Sequence, residues 1–239
     1  MMQTQGRSAR MERAYDRLSA EYGGPGTISA ERFTAAGVYD KVGLLVILAL
    51  VTGAIGYATA SIGLFWLGLV GGLVFSLVGI FRPRTAPVMA PLYALAEGLA
   101  LGALTAAYAV GSNGIAPLAI IFTGGVFLTA LVIFRSGLVK VTPKFVSMTL
   151  MASVGFLLVL LGGWLGLFPG LNSQTGLLVF GIIGVVIGVA YLFIDFNYVE
   201  VGEQRGLPVE GEWYGALMLM MSLVFVYINV LRILASRRR

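Results

Sequence analysis

Apolar residues run along this chain in long blocks rather than in helical stripes or alternating strands. Seven stretches carry almost no charge, near Val42–Ser61, Leu64–Phe81, Pro87–Val110, Ile115–Phe134, Phe145–Phe168, Gly176–Phe196 and Gly211–Ala235. Each is close to the roughly twenty residues that an α-helix needs to cross a bilayer's hydrocarbon core. Short breaks such as PRTAP, GSNG and FPGLNSQT separate them, with the Pro, Gly, Asn and Ser of turns. Neither an internal repeat nor a second domain is visible. The pattern predicts an all-α integral membrane protein: a tail over residues 1–38, a seven-helix transmembrane bundle over 39–236 and a basic end at 237–239.

Composition agrees. Apolar residues make up 58% of the chain, charged residues 11%, and mean hydropathy is +0.92, too little polar surface for a water-soluble domain of this size. Cysteine and histidine are both absent, which removes thiol chemistry and the commonest general base and metal ligand. No phosphate loop, catalytic triad or redox-cofactor ligand set occurs, so neither an enzyme nor a bound cofactor is expected. Nor does the formal charge of +5 indicate nucleic acid, because the cations lie mostly at the margins of the apolar blocks. They set topology instead. Arg7, Arg10, Arg13, Arg17, Arg32 and Lys41 precede or begin the first block; Arg82 and Arg84 follow the second, and Arg135, Lys140 and Lys144 follow the fourth. The positive-inside rule then puts the N-terminus in the cytoplasm, although it leaves the C-terminal SRRR outside after seven crossings. In the tail, Met11, Ala14, Tyr15 and Leu18 have the spacing of a surface amphipathic helix; a disordered tail is the alternative.

One acid lies deep in an apolar block. Glu97, in APVMAPLYALAEGLALGALTAAY, is about ten residues from Pro87, or roughly 15 Å along a helix. Inserting a charge there costs around 3 kcal/mol and by default marks function. Tyr93 and small residues share its face, and Gly98 and Gly102 form a small-xxx-small pair that admits another helix. Glu97 is therefore expected to face protein, either as a working group or hydrogen-bonded to a Ser, Thr or Tyr.

The second acid, Asp195, ends an apolar run in YLFIDFNYVEVGEQRGLP. Gly181, Gly184 and Gly188 recur at spacings of three and four before it, and Asp195 is seven residues beyond Gly188, with Tyr191 four before it. A glycine face packs against another helix, so Asp195 should point inward. At a helix C-terminus it would also have the wrong sign for the dipole. Both points weigh against a simple stop signal. Topology puts Arg82 and Arg84 at the same end, with Glu97 about 10 Å deeper. An Asp195–Arg82 or Asp195–Arg84 pair is then expected as a latch. Glu200, Glu203, Glu210 and Glu212 read as a solvated acidic loop, Asn229 as a helix-to-helix hydrogen bond, and Met218, Met220 and Met221 as packing.

These residues carry a resemblance. APVMAPLYALAEGLALGALTAAY, FIDFNYVEVG and EWYGALMLMMSLVFVYINVLRIL, with VYDKVGLLVILAL near the start, resemble the bacterial branch of the Bax inhibitor family, the proteins with a transmembrane Bax-inhibitor motif. The resemblance implies a seven-helix fold with the last helix central, in the bacterial inner membrane. It also implies a pH-sensitive calcium leak whose sixth-helix aspartate, here Asp195, pairs with a second aspartate in the last helix. At that place this chain has Met221 and Ser222 and no acid. Asp195 is then a solitary, weak calcium candidate.

The leading expectation is thus a calcium or cation leak in the lipid bilayer, with Asp195 at the gate and Glu97 on the path. The alternative is a regulator of a membrane-bound protease or quality-control machine acting through the tail. A third is a proton-coupled transporter using Glu97. Deleting residues 1–28 separates the first two, since a leak should survive it.

Overall fold

The structure, a computed structural model, describes residues 32–109 and 114–236. The expected surface helix of the tail and the three arginines of the SRRR end lie outside those residues. Seven helices long and apolar enough to cross a membrane follow one another: α1 Ala35–Thr59, α2 Ile62–Phe81, α3 Ala86–Tyr108, α4 Ile115–Arg135, α5 Pro143–Trp164, α6 Gln174–Arg205 and α7 Gly211–Ser236. The protein is an all-α, multi-pass membrane bundle. Hydroxyl side chains start four of the helices by accepting a backbone N–H of the first turn: Thr34 from Gly37, Ser61 from Leu64, Thr142 from Phe145 and Ser173 from Gly176. Gly206, at φ +62°, ends α6 in the left-handed conformation that glycine tolerates best.

The last helix is the core. Half of its apolar window is buried, the largest share among the seven, and Leu217, Leu219, Val226, Asn229 and Leu231 are fully enclosed. Helices α1, α2, α3, α4 and α6 pack on it, and Phe156 of α5 reaches Phe225 with ring centroids 5.9 Å apart. Close approach is made by glycine. Gly181, Gly184 and Gly188 of α6 lie against Ile233, Asn229 and Val226 of α7, so the glycine face predicted for this helix is the one turned inward. Gly98 and Gly102 of α3 lie against Thr52 and the Gly53 carbonyl of α1, as their spacing predicts.

Two helices outrun their apolar blocks. Helix α1 starts at Ala35 rather than near Val42, and α6 ends at Arg205 rather than near Phe196. Hydropathy marks where lipid ends, whereas a helix continues until its backbone is capped. Asp195 therefore stands ten residues before the end of α6, roughly 15 Å along the axis. It is not at a helix C-terminus, so the dipole argument does not apply to it. Glu97 is eleven residues from the start of α3.

The extension also corrects the acidic loop. Glu200 and Glu203 belong to α6, and Glu203 accepts the Ala35 N–H at the start of α1 (2.9 Å). Glu212, 3% exposed, accepts the backbone N–H (2.8 Å) and the hydroxyl (3.0 Å) of Thr34 through Oε1, and pairs with Lys41 through Oε2. Lys41 Nζ also stands 5.5 Å from the Trp213 ring centroid. Glu203 thus fastens the start of α1 to the end of α6, and Glu212 fastens it to the start of α7. Glu212→Ala is expected to destabilise the bundle by about 3 kcal/mol, because it orphans Lys41 and the helix cap together. Thermal unfolding in detergent reads this out, and an unchanged midpoint would remove Glu212 from the list of fastenings.

Candidate functional site

Helix α6 brings Asp195 against α7. The carboxyl is 3% exposed, and Ser222 Oγ donates to its Oδ2 at 2.5 Å. Thus Ser222 stands opposite Asp195, where the resemblance implies a second acid. Arg82 and Arg84 are both exposed, and the Asp195 carboxyl is bonded to Ser222 instead. The expected latch between Asp195 and either arginine is not formed. The arginines belong to the surface turn after α2, while Asp195 is enclosed one helix inward against α7. Tyr191, half-buried, has no hydrogen bond to Asp195.

A polar vestibule is lined by the next turns of α6, from Phe196 to Glu203. Its volume is about 550 Å³, and its wall includes Tyr39, Arg135, Lys140, Asn197, Glu200 and Glu203. Tyr39 sits next to Arg135 and the two glutamates. Phe134 and Phe196 also border it, and the Phe196 ring packs on Phe127 and Phe134 with centroids 5.5 and 5.7 Å away. Phe196 follows Asp195 directly, but its ring turns toward α4 while the carboxyl meets α7. None of this vestibule was legible in the sequence, since its wall comes from α1, α4, the loop after α4 and α6. The only cue was the cluster of charges at neighbouring block ends.

Glu97 sits elsewhere. Its carboxylate end lies against Gly72 of α2, it is half-buried, and it has no hydrogen-bond partner among the described residues. The cross-helix bond from a Ser, Thr or Tyr is therefore not made. Tyr93, one turn earlier, is 4% exposed and close to the Glu97 carboxyl. The structure does not bring Glu97 and Asp195 together: one engages α2 and the other α7.

Asn229 is fully buried, but its bonds stay within α7: Nδ2 donates to the Phe225 carbonyl (2.8 Å), and Oδ1 accepts from Arg232 (3.0 Å). Its contact with α6 is steric, against Gly184, rather than the helix-to-helix hydrogen bond its position suggests. Arg232 lies beside Tyr108 as well, forming a polar cluster at the opposite end of the bundle from the vestibule. The sequence showed that arginine as part of VLRIL, without its partners.

A sequence profile described as Bax inhibitor 1 like matches residues 2–239. The chain belongs to that family. No curated protein matches it. Within this Bax inhibitor 1 like chain, the contact between α6 and α7 thus combines one carboxyl and one hydroxyl. No group of three or more acids converges as a metal cluster among the described residues. Calcium prefers six to eight oxygens, so Asp195, Ser222 and nearby carbonyls suit passing contact with such an ion rather than tight capture.

Proposed function

We infer that this protein is a calcium-permeable cation leak of the bacterial cytoplasmic membrane, with its N-terminus in the cytoplasm, and that the present conformation is closed. The supporting observation is the enclosed Asp195 carboxyl, tied to Ser222 on the central helix, one residue before Phe196 in the wall of a polar vestibule. A charge kept inside a membrane protein is expensive unless it serves a path, a relay or a switch. Here the vestibule gathers ions at the end of the bundle that carries Lys41, Arg82, Arg135, Lys144 and Arg205, the end that the positive-inside rule assigns to the cytoplasm. Opening parts Asp195 from Ser222, letting a cation exchange hydration for the carboxylate.

The test is calcium flux into proteoliposomes across a pH series, against protein-free vesicles. Flux above that background, varying with pH, is expected. If the wild-type protein carries none at any pH, the leak reading fails and a regulator acting through the tail takes its place. Glu97→Gln, on the flank toward α2, is expected to change flux less than about twofold, as for a partly exposed group outside the main contact. A loss as large as that from altering Asp195 would put Glu97 back on the path.

A further inference from the structure

A second cavity, independent of the vestibule and of the leak reading, opens between α1 and α4. Its volume is about 520 Å³, and it reaches along α1 from Val42 to Tyr57, a span of roughly 22 Å at 1.5 Å per residue. That exceeds the roughly 15 Å depth of one leaflet's hydrocarbon. The floor is α7, where Met220 and Val224 are 3% and 6% exposed, and Gly124, with no atom within 4 Å of a would-be Cβ, leaves room. Leu50 of α1 and Ile120 of α4 line the cavity and are 44% and 43% exposed, so the mouth faces the surroundings of the bundle at membrane height. In a bilayer those surroundings are acyl chains.

One group inside is out of keeping with an empty apolar slot. Thr123, 8% exposed, lines the cavity with a hydroxyl that has no hydrogen-bond partner among the described residues. Thr52, Thr59, Thr105 and Thr149 each donate to the carbonyl four residues earlier, at 3.1, 2.9, 2.6 and 3.0 Å. Thr123 forgoes that bond to Ala119. A buried hydroxyl without a partner is unfavourable, and an oxygen of an occupant would satisfy it. Further along, the Thr105 and Tyr227 hydroxyls bond each other at 2.9 Å, with Tyr57 on the same wall. The slot is therefore long and apolar, with hydroxyls spaced along one half.

We propose that this cavity is a phospholipid site: one acyl chain of a bilayer lipid enters between α1 and α4 and lies along α7, with its ester oxygens toward the hydroxyls. The experiment places the full-length protein in vesicles containing a phosphatidylcholine with a photoreactive diazirine in one acyl chain, then maps the cross-links. The expected result is labelling of Met220 and Val224 on α7, which line the cavity and are otherwise enclosed, at 3% and 6% exposed. Gly124→Leu fills open space, since no atom lies within 4 Å of a Cβ at that position. It should lower the α7 label at least about tenfold, as expected from excluding a pair of buried methylenes. Ile120→Trp, which narrows the mouth, should act in the same direction if Gly124→Leu disturbs folding. Thr123→Val should lower it about threefold, the worth of one hydrogen bond. Outward positions such as Ile121 and Leu128, 67% and 61% exposed, should label equally in every variant. Label confined to those outward positions would overturn the proposal. So would α7 label that persists undiminished in both filling variants, or that arises from a diazirine fatty acid but not from the phospholipid.

Discussion

Asp195→Asn is expected to reduce calcium flux about tenfold, equivalent to ~1.4 kcal/mol, and to flatten its pH dependence. The amide has the shape of the carboxyl and still accepts from Ser222 Oγ, which now reaches Oδ2 at 2.5 Å. The fold and the closed contact are therefore retained while the charge is removed. A cation passing the contact loses a charge-assisted partner, and such bonds are roughly twice as strong as neutral ones. Ser222→Ala should act in the opposite direction. It leaves the carboxyl in place but deprives a 3%-exposed group of its hydrogen bond from Ser222 in the closed state. Leaving such a group unsatisfied costs about 1.5–3 kcal/mol, which shifts population toward whatever conformation hydrates Asp195. Flux should rise by about tenfold or more, since ~1.4 kcal/mol already corresponds to tenfold. Two variants of one contact that move flux in opposite directions are hard to reconcile with a merely structural acid. If both lower flux, or neither changes it, Asp195 is a packing residue and the gate lies elsewhere.

The largest stability effect is expected at Gly102. A Cβ there would run into the Gly53 carbonyl of α1, and the Gly53 carbonyl carbon and the Tyr57 nitrogen would each be 2.8 Å away. All of these are backbone atoms, so no side chain can rotate aside. Gly102→Ala should therefore push α3 from α1 and destabilise by about 3 kcal/mol or more, the upper end for overpacking a filled core. Gly155 of α5 makes the contrast, because no atom lies within 4 Å of its would-be Cβ. Gly155→Ala should stabilise slightly, by up to about 1 kcal/mol, through helix propensity and a less flexible unfolded chain. Thermal unfolding of both variants in one detergent reads out the difference. Equal midpoints would mean that the α1–α3 contact is looser than drawn here.

Both expectations separate what was legible in the residue order from what was not. The number of crossings, the turns between them and the inward face of α6 follow from local rules. A twenty-residue apolar run must become a helix, because lipid offers the backbone no hydrogen bonds, and glycines at helical spacing collect on one side. That suffices to turn Asp195 inward, and the structure encloses it. The central place of α7 entered through family resemblance, since its composition differs little from that of its neighbours.

Partners across the bundle were another matter. Arg82 and Arg84 seemed natural partners for Asp195 because they share its end of the bundle, yet Ser222 holds that carboxyl. Glu212 looked solvated and is 3% exposed, bonded to Thr34, 178 positions away. Helix pairing is decided by steric fit among surfaces that are equally apolar, and lipid supplies no hydrophobic drive to favour one pairing over another. Hydropathy, charge count and glycine spacing therefore specify the helices, their membrane character and which faces are small. The vestibule, the lipid-facing cavity, the unpaired Thr123 and the Asp195–Ser222 contact arise only when seven nearly interchangeable apolar surfaces settle against one another.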